Sequence, residues 1–317
     1  MIAGIDIGGT KTQIIAELDG NTVGEAVVNT AEWRMRIDHD ADVRALVSLL
    51  VATAGTAPKT TVVGAHGCDS DEDRLALQTR LSSQLRGTVL VLNDSELLLP
   101  AAGKTSGISV ISGTGSIAVS RDASRRMIAS GGWGWYLGDE GSASGLVREA
   151  VRTVRFALDQ GETLDPLGRN LLEALAVSSP IELGRALGAI GSAAGIGRFA
   201  PLVFAAADAG SRYAEKVIAD AGISLAVLAE QLVRRGAPLG DVVTGGGVIA
   251  RQPRLLAAFQ SALTDRLPDV TLTLLHGQPV MGAMVLARKL SVGDLPKTLP
   301  LPHIDGELKT AWDWRAA

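Results

Sequence analysis

Apolar residues fall into short strand-like runs separated by turns, and later into helical spacing. Ile2, Ala3, Ile5 and Ile7 suit a buried strand, and Ile14, Ile15 and Ala16 resume it after a glycine turn. Thr22–Asn29 reads as a third strand, reached through Asp19-Gly20-Asn21. A polar, irregular piece follows over Thr30–Asp40. Val43, Leu46, Val47, Leu50 and Val51 then share one face of a helix over Asp42–Ala54. Thr61–Ala65 is a short strand and Asp71–Leu85 a helix with acids in its first turn, which complement its dipole. Val89–Leu92 is a strand ending at Asn93-Asp94, and Ser95–Ala102 a short helix. This alternation predicts a mixed α/β sheet with helices on both faces.

The opening pattern returns. Ile108–Val119 is again strand, glycine and hydroxyl turn, strand, about a hundred residues after Ile5–Ile15. Two such units suggest two related domains facing each other. Residues 127–140 read as a glycine-rich loop. Helical spacing then dominates over Ala143–Leu158, Leu167–Leu175, Pro180–Leu187, Phe199–Ala209 and Tyr213–Arg235. Asp241–Thr244 is a strand followed by Gly245-Gly246-Gly247, Pro253–Leu263 a helix, Val270–Leu275 a strand and Pro279–Leu290 a helix. The proline-bearing tail from Asp294 reads as irregular, with Trp312 and Trp314 tucking back.

Composition narrows the function classes. A chain of 317 residues is long for one domain and comfortable for two. Aromatics at 3% and a net charge of −4 argue against a nucleic-acid surface, which needs basic patches and stacking rings. The nearest basic cluster, Arg121, Arg125 and Arg126, reads as a solvated hairpin end. A single cysteine, Cys68, excludes an internal disulfide or a multi-cysteine metal site, and reads as a small buried hydrophobe. No signal peptide opens the chain, and no apolar stretch reaches the roughly 20 residues of a membrane span. The expectation is a soluble, cytoplasmic protein with no nucleic-acid or membrane partner.

The candidate chemistry sits in the turns. Gly8, Gly9, Thr10, Lys11 and Thr12 follow the first strand, and inward backbone N–H groups over such a bend form an anion nest. Asp6 ends that strand beside the nest, as it should if Mg²⁺ lies between acid and phosphate. A plain hairpin that needs glycines is the competing reading. No GxxxxGK[ST] follows, which excludes a P-loop, and the run after the glycines is strand-like, unlike a Rossmann turn. Two more turns of this kind, Gly113-Thr114-Gly115-Ser116 and Thr244–Gly247, also follow apolar strands. Ligands gather at the carboxyl ends of strands in open α/β sheets, so all three, with Asn93-Asp94, converge on one cleft suited to a nucleoside triphosphate.

In this order the motifs resemble those of the actin/hexokinase/Hsp70 superfamily, across nearly the whole chain. Asp6–Thr12 looks like the first phosphate motif, Ser112–Ser116 the second, Thr244–Arg251 the adenosine motif, and Gly141–Leu158 and Val280–Arg288 the two connecting helices. Asn93-Asp94, Ser112–Ser116 and the block Gly131–Ser142 resemble most the BadF/BadG-type branch that includes N-acetylglucosamine and glucosamine kinases. ROK sugar kinases share the opening, but their cysteine-rich zinc motif and ExGH motif are missing. BadF-type activators of dehydratases hold an iron–sulfur cluster that one cysteine cannot supply. Asn29–His39 and Ala65–Asp69 depart from the pattern of either sugar kinase.

The resemblance implies two ribonuclease-H-like (actin-like ATPase) domains flanking an ATP cleft, with residues 1–106 plus the tail 289–317 in one and 107–288 in the other. It implies ATP and Mg²⁺ as cofactors, a small-molecule sugar as substrate, and leaves a homodimer open. Asp94 would be the general base for transfer of the γ-phosphoryl to the 6-hydroxyl of glucosamine or N-acetylglucosamine. Its plainer role is a helix cap. Gly8, Gly9, Thr10, Lys11, Thr12, Gly113, Thr114, Gly115 and Ser116 would contact phosphates, and Gly245, Gly246 and Gly247 the adenosine. Asp6 would anchor the metal, its plainer role being to stabilise the turn. Asn93, Asp94, Gly138, Asp139, Glu140 and Trp33 would meet the sugar, with Trp135 as a further stacking candidate and His66 as a structural residue. Another hexose as acceptor, or an ATPase acting as a conformational regulator, are the alternatives. A sugar-sensing transcription factor would need a DNA-binding extension before the phosphate strand.

Overall fold

The computed structural model describes residues 1–308, which form two β-sheets and the helices packed on them. The expected place of Trp312 and Trp314 lies outside the described residues. The strands are β1 (Ile2–Ile7), β2 (Lys11–Leu18), β3 (Asn21–Asn29), β4 (Thr60–Ala65), β5 (Thr88–Leu92), β6 (Ile108–Ser112), β7 (Ser116–Arg121), β8 (Met127–Gly131), β9 (Asp241–Gly245), β10 (Thr271–Leu274), β11 (His303–Ile304) and β12 (Glu307–Leu308). The first sheet runs β12-β11-β5-β4-β1-β2-β3 and the second β10-β9-β6-β7-β8.

The two sheets share one plan. In the first, β1 pairs antiparallel with β2 and parallel with β4, and β4 pairs parallel with β5. In the second, β6 pairs antiparallel with β7 and parallel with β9, and β9 pairs parallel with β10. The repeat read in the sequence is therefore a repeat of topology. In both sheets the central strands are buried on both faces, which explains their near-continuous apolar runs.

Local chemistry sets the helix ends. The Asp38 side chain accepts the N–H groups of Asp40 and Ala41, so the first long helix starts at His39 rather than Asp42, and Gly55 ends it in the left-handed region. Ser142 caps the helix Ala143–Asp159 by accepting the Gly145 N–H. The helix Val280–Ser291 lies against β1, β4 and the helix Leu98–Ala101. A Cβ on Gly282 would stand 2.0 Å from the Leu97 carbonyl oxygen, so only glycine permits that approach.

Three expectations need correction. Residues 30–40 are not wholly irregular, since Thr30–Trp33 form a helical turn capped by Asn29. Residues 127–140 are not a loop throughout: Met127–Gly131 is the edge strand β8 and Gly134–Leu137 a short helix. The tail is irregular over residues 294–302 as expected, but His303–Ile304 then pairs with β5 and extends the first sheet. Among the described residues no helix is long and apolar enough to cross a membrane.

Candidate active site

The first turn is closed by Gly8 N–H donating to the Lys11 carbonyl at 2.9 Å, and it leaves Gly9, Thr10 and Lys11 exposed. Thr12 is fully buried. Its hydroxyl lies 3.0 Å from that of Thr30 and accepts the Trp33 indole N–H at 3.1 Å. Thr12 and Trp33, expected to face phosphate and sugar, are thus engaged with each other. The Trp33 ring packs against the core of the first sheet.

At the ends of the neighbouring strands stand Asp6, His66 and Asp94. Asn93, not Asp94, caps the turn Asp94–Leu97. The Asn93 side chain accepts the Ser95 N–H, and the Glu96 carboxylate accepts the Asn93 N–H in return. Asn93 is 1% exposed, and its amide donates to the Cys68 carbonyl and the Asp69 carboxylate. That capping leaves one Asp94 oxygen free of backbone donors. Oδ1 accepts the Ser95 N–H at 3.0 Å, while Oδ2 lies 3.7 Å from His66 Nδ1.

Electrostatics couples these groups. Burial pushes the Asp94 carboxyl up to about 6, with the His66 charge pulling the other way. Burial, and then the Asp94 charge, push Asp6 up to about 7, and Lys11 opposes them. No donor to the Asp6 carboxylate is present among the described residues. A buried and a half-buried carboxylate that repel each other next to an anion nest suit a divalent cation. No cluster of three or more His, Cys, Asp or Glu that could hold a metal occurs among the described residues. His66, read as structural, is half-exposed and its ring faces Gly9 as well as Asp94. Cys68 is a buried hydrophobe as expected, its thiol pushed up to about 12 by burial.

The second and third turns meet. A Cβ on Gly246, whose φ is +108°, would stand 2.5 Å from the Ser112 carbonyl oxygen, and Val248 N–H donates to that same oxygen. Gly246 and Gly247 are exposed while Gly245 is buried in β9. Asp139 joins this group: its Oδ1 accepts the Ser116 N–H at 3.2 Å, and its carboxylate fills the space a Cβ on Gly115 would need. Burial raises the Asp139 carboxyl above its ordinary value. Ala143 N–H donates to the Gly113 carbonyl and the Ser144 hydroxyl to that of Thr114, so the start of the helix Ala143–Asp159 is sewn to the turn. Glu140 accepts the Ser116 hydroxyl through its carbonyl and faces Arg148 at 3.7 Å through its carboxylate. Arg148 also donates to the carbonyls of Trp135 and Gly138, clamping that loop.

Sequence reasoning missed Arg121, which is not part of a solvated hairpin end. Its guanidinium is 3% exposed and grips the Glu96 carboxylate with two bonds, Nε at 2.6 Å and Nη2 at 3.0 Å. Nη1 reaches Asp71 at 2.9 Å. A residue of the second sheet thus holds the carboxylate that caps the Asp94 turn, and the turn itself contacts β1, β4, β6 and β7. Arg121→Ala leaves Glu96 buried and unpaired, so it should cost about 3–5 kcal/mol in chemical denaturation. The pair Arg121→Met with Glu96→Leu should recover much of that loss. A loss under about 1 kcal/mol in the single variant would show the pair to be energetically idle.

The BadF/BadG/BcrA/BcrD ATPase family model matches residues 3–287. The chain is similar to the N-acetylmuramic acid/N-acetylglucosamine kinase of Clostridium acetobutylicum, 27% identical over 302 residues that span 90% of this chain and 98% of that protein. It is also similar to the N-acetyl-D-glucosamine kinase of Dictyostelium discoideum, 26% identical over 71% of this chain and 74% of that one. Among solved structures, one described as a candidate N-acetylglucosamine kinase from Chromobacterium violaceum superposes with a TM-score of 0.63 at 25% identity, covering 90% of this chain and 97% of the other. A ROK family glucokinase from Streptomyces griseus, solved with glucose and AMPPNP, shares the fold at a TM-score of 0.54 and 19% identity over 91% and 99% of the two chains. The two-sheet α/β architecture is that of the actin-like ATPases.

Proposed function

This chain belongs to the BadF/BadG/BcrA/BcrD ATPase family, and on that premise we propose that it transfers the γ-phosphoryl group of ATP to the 6-hydroxyl of glucosamine or N-acetylglucosamine, with Asp94 as general base. The observation that carries this reading is the freeing of Asp94. Asn93 and Glu96 do the capping, so the half-buried Asp94 carboxylate beside them, which holds the Ser95 N–H through Oδ1, keeps its second oxygen for chemistry. A pure ATPase would not need it. The relatives named above are kinases of amino sugars, which supports the acceptor class.

The reaction follows from the layout. The exposed N–H groups of Gly8–Lys11 and of Gly113–Ser116 suit the phosphate chain, and the bare backbone at Gly246 and Gly247 suits the adenosine. The sugar hydroxyl lies against Asp94 Oδ2, which takes its proton as the oxygen attacks phosphorus in line with the departing ADP. The proton then passes to solvent as the sugar 6-phosphate leaves. Asp139, with a second oxygen beyond its bond to Ser116, suits the sugar's ring hydroxyls. Asp6 would hold Mg²⁺, which would supply positive charge to offset that of the phosphate chain. Residues 1–106 with the tail form one jaw and 107–288 the other, and their closure excludes water. A cytoplasmic setting follows from the ATP requirement.

The test is a panel of hexoses and hexosamines with ATP and Mg²⁺, read as ADP release. Glucosamine or N-acetylglucosamine should stimulate release well above the rate with no acceptor. A rate that no amino sugar raises would overturn the kinase reading in favour of a conformational ATPase.

A further inference from the structure

His66 stands at the end of the middle strand of three. In the first sheet β4 lies between β1 and β5 and runs parallel to both. At their carboxyl ends β1 runs into the turn Gly8–Lys11, β5 into Asn93-Asp94, and β4 into His66. Adjacent strands lie about 4.8 Å apart, so the strand ends that carry the phosphate turn and Asp94 are about 10 Å apart, with His66 between them. An acceptor oxygen and a phosphoryl group, set in line between base and nest, need a gap of that order.

The backbone aims the ring. His66 N–H donates to the Ile7 carbonyl at 2.7 Å, and the His66 carbonyl accepts Arg34 Nη1 at 2.7 Å. Gly67 follows in the left-handed region at φ +81°, and Cys68 N–H closes the bend on the Ala65 carbonyl at 3.2 Å. The main chain is thus held on both sides of a side chain that stays half-exposed. Nδ1 lies 3.7 Å from Asp94 Oδ2, and the Cδ2–Nε2 edge lies 3.6 Å from the point a Cβ on Gly9 would occupy. Neither ring nitrogen has a hydrogen-bond partner among the described residues. The approach to Asp94 is too long for a hydrogen bond, and an ion pair with so exposed a partner adds little stability. Structure alone therefore gives the ring no task.

We propose that His66 is a catalytic residue, its Nε2–H donating to an oxygen of the γ-phosphoryl group as that group passes from ADP to the acceptor. The inference rests on the kinase reading above and adds to it a second side chain that touches reacting atoms. Charge is spread over the phosphoryl oxygens during transfer, and a donor fixed beside them beforehand lowers the barrier without having to reorganise. The N–H groups of Gly8–Lys11 meet the phosphate chain from one strand end. His66 meets it from the next, on the side of Asp94, and so limits where the acceptor oxygen and phosphorus can approach each other. The bond from phosphorus to the ADP oxygen breaks, the bond to the acceptor oxygen forms, and Asp94 takes the acceptor's proton. His66 keeps its own proton throughout. It falls within Ala65–Asp69, where the chain departs from the pattern of the sugar kinases it resembles.

Asparagine and glutamine at this position separate the two ring nitrogens. The amide of Asn reaches only as far as Nδ1, and that of Gln reaches as far as Nε2. With the whole chain, ATP, Mg²⁺ and the best acceptor of the sugar panel, His66→Asn should lower kcat by about 10²- to 10³-fold and leave KM for the sugar within about twofold. His66→Gln should regain about tenfold of that loss, because its amide N–H returns the donor. A binding measurement needs no turnover. Fluoroaluminate, a mimic of the phosphoryl group in flight, should tighten the binding of ADP and Mg²⁺ to the wild type by about 100-fold in calorimetry. His66→Asn should lose most of that gain and bind ADP alone as the wild type does. A kcat within about threefold of the wild type in His66→Asn, with the fluoroaluminate gain intact, would overturn the proposal. So would a change confined to the sugar KM, which would assign the ring to the acceptor's hydroxyls. Equal losses in the Asn and Gln variants with a lowered melting temperature would overturn it too, and make His66 a packing residue. If no acceptor raises ADP release in the wild type, the kinase reading fails, and the fluoroaluminate measurement still decides whether His66 touches the phosphoryl group.

Discussion

Asp94→Asn should lower kcat by about 10²- to 10⁴-fold while ATP still binds. Asparagine keeps the shape of the side chain and can still accept the Ser95 N–H. It cannot take up the proton of the attacking hydroxyl, so the loss should appear in the chemical step and leave nucleotide binding near the wild-type value. The wild-type pH profile carries the same information. Burial raises the Asp94 carboxyl to about 6, and the base works only when ionised. The rate should therefore fall about tenfold per pH unit below about 6, and the residual rate of Asp94→Asn should lack that limb. His66 lowers the Asp94 value through its charge, so His66→Gln should move the limb upward. Near-normal turnover in Asp94→Asn would leave Asp94 a local turn residue.

The turns were legible because each depends on adjacent residues. An apolar run, two glycines and a hydroxyl fit one geometry, and the second copy at Ile108–Val119 carried the first sheet's pairing into the second. Neighbours in sequence could not settle Asn93 against Asp94, since both cap well. Glu96 decides it, by reaching back to the Asn93 N–H. Strand β8 escaped because its alternation runs through Ala129, Ser130 and Gly131, residues too small to mark a buried face. The pair β11–β12 exists only because an edge of the first sheet was left open to it. Arg121, Arg148 and Arg34 were illegible for a common reason. Each finds a deciding partner at a distant position or on a backbone carbonyl, which no local pattern records. Thr12 and Trp33 were placed in the right neighbourhood, but which way a hydroxyl or an indole turns is decided by packing.

Asp6→Asn should make the ligand-free protein more stable at pH 8 and far less active. Asp6 is 7% exposed, without a donor among the described residues, and its carboxyl is raised from 3.8 to about 7, first by burial and then by Asp94. The sign follows from linkage. A folded-state value above the unfolded one means that folding takes up a proton between pH 4 and 7, so stability is greatest below the unfolded value and is lost as pH rises through 7. At pH 8 the ionised group costs up to about 4 kcal/mol. Asparagine does not titrate, so the variant should melt several degrees higher at pH 8, with the gain shrinking as pH falls toward 4. Phosphoryl transfer should meanwhile drop by on the order of 100-fold, because Asn is a poor magnesium ligand. Mg²⁺ with ADP should raise the melting temperature of the wild type much more than that of the variant. A carboxylate kept against the interest of the fold marks a group held for a ligand. A melting temperature that falls at pH 8 in Asp6→Asn would instead make Asp6 a stabiliser of the turn, and would remove the metal from this part of the site.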